Sequence, residues 1–220
     1  MKSQRTIVIG DVHGCLEELE ELLNQVQYAS TKDRLIFAGD FINRGPCSLE
    51  VLEKIQSLRA DAVMGNHELG FLKYLKDPSF VYDNFPLLKS QMGNRLLFWS
   101  HWLERLPLFI EEKEFIVVHA GLAPNQAPFE TSADILTRIR TWDGQGTDLN
   151  NPEDPSWFEL YHDPKLVLFG HWAKKGLVFR DNAIGLDTGC VYGKKLTAVV
   201  LPERSICQVP AKQIYEIPEE

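Results

Sequence analysis

The feature that most constrains this chain is a set of five short apolar runs, each stopping at a polar tag. TIVI (6–9) runs into GDVHG (10–14), LIFA (35–38) into GDFINRG (39–45), and DAVM (61–64) into GNHE (65–68). FIVV (115–118) stops at HAG (119–121), and LVLF (166–169) at GH (170–171). Four apolar residues bounded by glycine and polar residues read as a buried strand. Two helical segments separate the first three runs. Residues 15–28 carry Leu16, Leu19, Leu22, Leu23 and Val26 at helical spacing, and 48–58 reads as a second helix with Ser48 as its N-cap. Strand–helix–strand–helix–strand order argues for right-handed crossovers and a largely parallel sheet.

The remainder is less regular. Residues 68–105 read as mostly helical. Residues 143–164, rich in Gly, Pro, Asn and Asp, read as a long loop, a kind often functional in compact domains. After 166, the segments LVFR, AIGLD, LTAVVL and SICQV alternate with turns. The sequence predicts a single α/β domain over residues 1–220, large enough for a substantial core. No segment approaches 18 apolar residues and the N-terminal apolar run is too short for a signal peptide, so a cytoplasmic protein with no membrane partner is expected. Cys15, Cys47, Cys190 and Cys207 form no CxxC pair and read as reduced thiols. The net charge of −8 argues against a broad nucleic-acid surface, so an anionic substrate would need local cations to capture it.

In open α/β sheets the carboxyl ends of the strands form the ligand crevice. Asp11, His13, Asp40, Asn66, His119 and His171 should therefore converge. Any one of these tags alone is an ordinary turn or a hydrogen-bonded histidine; five at strand ends are not. Three imidazoles, two carboxylates and an amide suit borderline divalent cations and are too nitrogen-rich for a calcium or magnesium cage. Six ligands exceed one open tetrahedral zinc site and suit two neighbouring ions, which can clamp a phosphoryl group and acidify a bridging water.

The series GDVHG, GD(x)3RG, GNHE, HAG and GH resembles the metal-dependent phosphoprotein-phosphatase superfamily, the calcineurin-like phosphoesterases, over about residues 6–200. The resemblance implies a four-layer αββα sandwich of two mixed sheets, with a dimetal site at the strand ends. It implies that Asp11 and His13 bind the first ion, that Asp40 bridges, and that Asn66, His119 and His171 bind the second. Manganese is the first expectation, with iron, zinc or cobalt as alternatives. It further implies that His67 is the leaving-group acid and that Arg44 and Arg138 grip phosphate oxygens, with Arg140 the rival for the second arginine; a solvated helix end is the competing reading for both. Longer stretches (GDVHGC, RGPCSLEVL, GNHELGFL, HWLERLPL, VHAGLAP, FGHWA, LDTGCVYGKKLT) are similar to symmetrical bis(5'-nucleosyl)-tetraphosphatases, which cleave diadenosine tetraphosphate into two ADP through attack by a hydroxide bridging the metals. On that reading Asp187 braces the site rather than ligating. The chain is shorter than that type leads one to expect, between HAG and GH.

One departure is chemical. Phosphoprotein phosphatases carry GDxxDRG, whose second Asp orients the acid histidine; here Asn43 stands in its place. An amide orients the ring but supplies no charge. A serine alkoxide, with a pKa of roughly 15, close to that of water, needs a good acid. A phosphate leaving at a pKa of roughly 6 does not. Asn43 therefore favours nucleotide polyphosphates, with capped RNA 5' ends as related substrates, over the alternative of a serine/threonine or tyrosine protein phosphatase. Lys174, Lys175, Lys194 and Lys195 would neutralise outer phosphates, although surface solubility is the simpler reading. Trp142, Trp157, Phe158 and Tyr161 offer stacking faces for a base, against core packing as the alternative. His101 and His162 have no functional reading.

Overall fold

The computed structural model describes residues 5–80, 82 and 84–217. Its ten strands form two five-stranded sheets. In the first, β1 (Arg5–Ile9) pairs in parallel with β2 (Asp33–Phe37), and β2 with β3 (Asp61–Ala62). β9 (Lys195–Leu201) and β10 (Ser205–Pro210) complete it antiparallel, giving the order β10-β9-β1-β2-β3. In the second, β5 (Phe115–Val118), β6 (Leu166–Phe169) and β8 (Ala183–Gly185) are parallel. β4 (Phe109–Glu111) and β7 (Val178–Phe179) flank them antiparallel. The expected largely parallel sheet is thus two mixed sheets, as the αββα reading requires. β4 had no counterpart in the sequence reading.

The period of two along each strand explains how the sheets stack. Ile7 and Ile9, Leu35 and Phe37, and Leu196 and Ala198 face a cluster built with the helices. Val8, Ile36, Ala38 and Val199 face the other way and meet Val117, Leu166, Leu168 and Ile184 of the second sheet. Ile116, Val118, Val167 and Phe169 point to the far side of that sheet. Strands apolar on both faces must be covered on both, and that requirement produces layers.

α1 (Leu16–Gln25), α2 (Ser48–Ser57), α3 (Asn66–Lys76), α4 (Phe85–Met92) and α5 (Leu96–Glu104) lie over the first sheet, contributing Leu19, Leu52, Phe71, Phe85 and Trp99 to its core. The layer over the second sheet is thin. It consists of α6 (Ala133–Arg138), a single 3-10 turn (Trp157–Glu159) and the loop between them. That loop is anchored by buried Trp142, Trp157 and Phe158, so core packing claims three of the four aromatic residues considered for base stacking; Tyr161 is half-buried against the same cluster. Ser48 is not the N-cap of α2. Cys47 takes that position, and the Ser48 hydroxyl instead accepts the Asn43 N–H at 2.9 Å.

Candidate metal centre

The five tags meet at one edge of the stacked sheets. Sharp exits from the strands put several side chains there on left-handed backbone: His13 (φ 45°), Asp40 (47°), Asn43 (72°), Arg44 (66°) and His171 (69°). Such a conformation costs on the order of 1–3 kcal/mol per residue away from glycine, and it concentrates at functional sites. Two tag glycines are explained by close approach. A Cβ on Gly65 would lie 2.2 Å from Asp40 Oδ1, and one on Gly170 would lie 1.9 Å from Asp11 Oδ1.

Asp40 is the hub. Its Oδ1 accepts the His67 N–H at 2.9 Å. Its Oδ2 lies 3.2 Å from His119 Nε2, 3.7 Å from His13 Nε2 and 3.8 Å from His67 Nε2. Asn66 Oδ1 lies 2.9 Å from both His119 Nε2 and His171 Nδ1. Asp11 receives the His171 N–H on both oxygens, at 3.1 and 3.0 Å. Ligand-atom clusters of Asp40, His119 and His171, and of His13, Asp40 and His67, each fit within 4.8 Å.

Hydrogen bonds to carbonyls fix three tautomers, because a carbonyl can only accept. His13 Nδ1–H donates to the Ile42 carbonyl at 3.0 Å, and His119 Nδ1–H to that of Ala38 at 2.8 Å. His171 Nε2–H donates to the Arg138 carbonyl at 3.1 Å. In each neutral ring the opposite nitrogen turns a lone pair toward the Asp40 and Asn66 oxygens; burial acts against a charge on His119, yet Asp40 raises its pKa above the ordinary imidazole value, so that ring takes a second proton more readily than the other two. Acceptors face acceptors at about hydrogen-bond distance, which a cation between them resolves. Charge agrees. Burial, then the neighbouring carboxylates of Asp187 and Asp40, push the Asp11 carboxyl well above its ordinary value. Burial acts against the charge on Asp40, yet His119 and its neighbours hold that carboxyl well below the usual range. Burial lowers His13 to about 4 and His171 well below the ordinary imidazole value, leaving neutral rings with lone pairs to give. The donor set fits divalent cations.

His67 differs. The Asn84 N–H donates to Asn43 Oδ1 at 3.0 Å, which turns the amide so that Nδ2 donates to His67 Nδ1 at 2.9 Å. His67 then carries its proton on Nε2, toward the site. Burial holds its pKa well below the ordinary value, so the ring is a neutral hydrogen-bond donor.

The two candidate arginines part company. Arg138 pairs with Asp134 at 3.3 Å one turn back, and only its carbonyl reaches His171. Arg140 is half-buried and donates from Nη1 to Asn150 Oδ1 at 3.0 Å; burial lowers its pKa, against the opposing pull of Asp187. Arg44 Nη1 lies 3.5 Å from His13 Nε2, its Nη2 donates to Tyr82 Oη at 3.3 Å, and its guanidinium stands 5.5 Å over the Tyr192 ring. Asp187 is buried and caps the Gly189 N–H at 3.0 Å. The four lysines are exposed; Lys175 stacks on Trp172 and Lys195 reaches Gln208.

One residue escaped the sequence reading. Glu68, fully buried, accepts the N–H groups of Asp40 and Gly65 on Oε2 and those of Phe41 and Ile42 on Oε1. It pins the loop that carries the hub. The signal was present in GNHE, where a Glu at the third helical position reaches back to the N-cap.

The calcineurin-like phosphoesterase family model matches residues 4–194. The symmetrical bis(5'-nucleosyl)-tetraphosphatase of Coxiella burnetii is 33% identical, covering 95% of this chain and 92% of that protein. That of Vibrio parahaemolyticus is 30% identical over 88% and 94%. A crystal structure described as a candidate diadenosine tetraphosphatase superposes with a TM-score of 0.85 at 33% identity, covering 96% and 95%. The cold-active protein-tyrosine phosphatase of a Shewanella species shares the fold, with a TM-score of 0.65 at 18% identity over 95% and 80%.

Proposed function

Because the chain belongs to the calcineurin-like phosphoesterase family, a family of metal-dependent hydrolases, we propose that it splits dinucleoside tetraphosphates symmetrically, diadenosine tetraphosphate giving two ADP, and acts on related capped RNA 5' ends. The observation that carries this reading is the Asn43 amide on His67 Nδ1. A ring so held offers the leaving group a neutral Nε2–H. That is enough for a departing phosphate and poor for a serine alkoxide. The names of the Coxiella and Vibrio relatives support the same substrate class.

Asp11, His13 and Asp40 would hold one divalent ion, and Asn66, His119 and His171 the other, manganese being the proposed metal; bound ions supply positive charge for the phosphoryl oxygens and a water of lowered pKa. The chain's own part is positional and electrostatic. The carbonyls of Ile42, Ala38 and Arg138 lock the imidazole tautomers. Glu68 fixes the Asp40 loop. Arg44 and Arg140, close enough to feel each other's charge, grip an anion between them, and Arg138 acts through its carbonyl. His67 Nε2–H faces the leaving oxygen.

The test is hydrolysis of diadenosine tetraphosphate with manganese, products resolved by anion exchange, beside a phosphoserine peptide. ADP as sole product with little peptide turnover is expected. AMP plus ATP refutes symmetrical cleavage, and rapid peptide turnover with an inert dinucleotide refutes the substrate assignment.

A further inference from the structure

The motif LDTGC ends on a side chain that the phosphoesterase chemistry does not use. Cys190 opens the 3-10 turn Cys190–Tyr192, directly after Gly189 in left-handed backbone (φ 70°), and its side chain is buried at 2% exposure. Cys15 is the N-cap of α1, equally buried, with Sγ 3.8 Å from the His13 carbonyl. Both thiols are free. Glu18 lies three residues beyond Cys15, on the same side of α1, and is fully buried. One ligand atom from each of Cys15, Cys190 and Glu18 falls within 4.8 Å of the others.

Glu18 supplies a second observation. Its Oε1 accepts the Lys212 N–H and the Tyr215 hydroxyl, each at 2.8 Å. Its Oε2 is enclosed and has no hydrogen-bond partner among the described residues. A buried carboxylate oxygen left without a partner is costly, and two facing thiols do little to satisfy it. A cation does.

We propose that Cys15, Cys190 and Glu18 form a second metal site, distinct from the phosphoesterase centre and selective for a thiophilic divalent cation of the zinc or cadmium class. Two thiolates and a carboxylate plus one water complete a four-coordinate shell of the kind zinc takes. With metal–sulfur bonds of about 2.3 Å, the sulfurs of such a shell stand about 3.8 Å apart, inside the 4.8 Å that spans the three ligand atoms. Softness separates the two sites: thiolates select zinc-like ions, whereas the imidazole, carboxylate and amide set admits manganese. Each thiol releases its proton to solvent as the ion binds. The ion would tie the start of α1, which follows the His13 loop, to the turn after Asp187 and to the C-terminal segment at Lys212 and Tyr215.

The experiment uses the full chain preloaded with manganese and titrated with cadmium. A thiolate-to-metal charge-transfer band in the ultraviolet reports binding to thiols and not to the phosphoesterase centre, since none of the six ligands there is a thiol, and the cysteine variants tell Cys15 and Cys190 from the other free thiols, Cys47 and Cys207. The band should saturate at one equivalent, vanish in Cys15→Ser and Cys190→Ser, and survive in Cys47→Ser. Glu18→Gln should weaken cadmium binding about tenfold or more, the loss that even an outer-shell partner causes. Far-ultraviolet circular dichroism checks that each variant is folded; should a serine variant fail to fold, Glu18→Gln and the wild-type stoichiometry still decide. No band in the wild type, a band that persists without both thiols, or thiols that oxidise to each other with cadmium unbound would overturn the proposal.

Discussion

Asn43→Asp tests the leaving-group argument directly. The substitution keeps one bond and inverts another. Either carboxylate oxygen still accepts the Asn84 N–H, now at 3.0 Å. The atom 2.9 Å from His67 Nδ1 changes from a donor to an anionic acceptor. The ring must then place a proton on Nδ1, and with Nε2–H retained it becomes a cation. A charge-assisted hydrogen bond of this kind is worth about 1.5–3 kcal/mol. At 1.36 kcal/mol per pKa unit, that raises the His67 pKa by roughly one to two units and the protonated fraction by roughly 10- to 150-fold above pKa. The wild-type starting point is low, because burial holds His67 well below its ordinary value. Turnover of a phosphoserine peptide should therefore rise by about an order of magnitude, within the range general acids supply. Diadenosine tetraphosphate turnover should change little, since its leaving phosphate needs no proton. The assay measures kcat/KM for both substrates on wild type and variant across pH. Equal acceleration of both substrates, or of neither, would refute the reasoning.

Further outcomes follow from other contacts. In Gly121→Ala, the new Cβ would stand 2.3 Å from Trp157 Cε2, a ring with no room to retreat, and urea denaturation should show a loss of about 1–3 kcal/mol. Arg140→Ala should lower dinucleotide kcat/KM by roughly 100-fold, as removal of a preorganised phosphate donor does, whereas Arg138→Ala should do far less because its contribution is a carbonyl that alanine retains. Chelation should lower stability, and manganese restored to about 100 times its Kd should return about 2.7 kcal/mol in thermal unfolding; an unchanged transition would count against a metal held by the native state alone. Asp33 is held below the ordinary carboxyl value first by its bond from Arg5, so that increment of stability is present above about pH 4 and lost as pH falls through the lower folded pKa. Arg5 is 37% exposed, so Arg5→Gln should cost less than about 1 kcal/mol at pH 6, and the cost should shrink as Asp33 becomes protonated at lower pH, read by denaturation at each pH.

The strands and their tags were legible because local sequence controls them. FIVV and LVLF coincide with β5 and β6, and the tags fall where those strands end. A run of four buried apolar residues has few ways to be satisfied, and a chiral polypeptide has few ways to connect such runs. Asp11, His13, Asp40, Asn66, His119 and His171 could be named as neighbours for that reason alone. What escaped depends on partners distant in sequence. β4 is short and weakly patterned, and exists because β5 offers it an edge. Trp142 and Trp157 look the same in sequence whether they stack on a base or fill a core; the bare outer face of the second sheet settled that in favour of the core. Ser48 looked like a cap until the Asn43 N–H claimed its hydroxyl. Arg138 and Arg140 look alike in sequence, and only the fold pairs the first with Asp134 and the second with Asn150. The proton positions came last. Residue types alone gave three imidazoles; only carbonyls brought up from Ile42, Ala38 and Arg138 decided which nitrogen of each carries hydrogen, and so which lone pairs face one another. Sequence by itself determined the strands and which side chains gather at their ends, because short-range sterics and burial act within a few residues. Tertiary structure determined the direction of each donor and acceptor, because a hydrogen bond is set by a partner that the fold alone brings near.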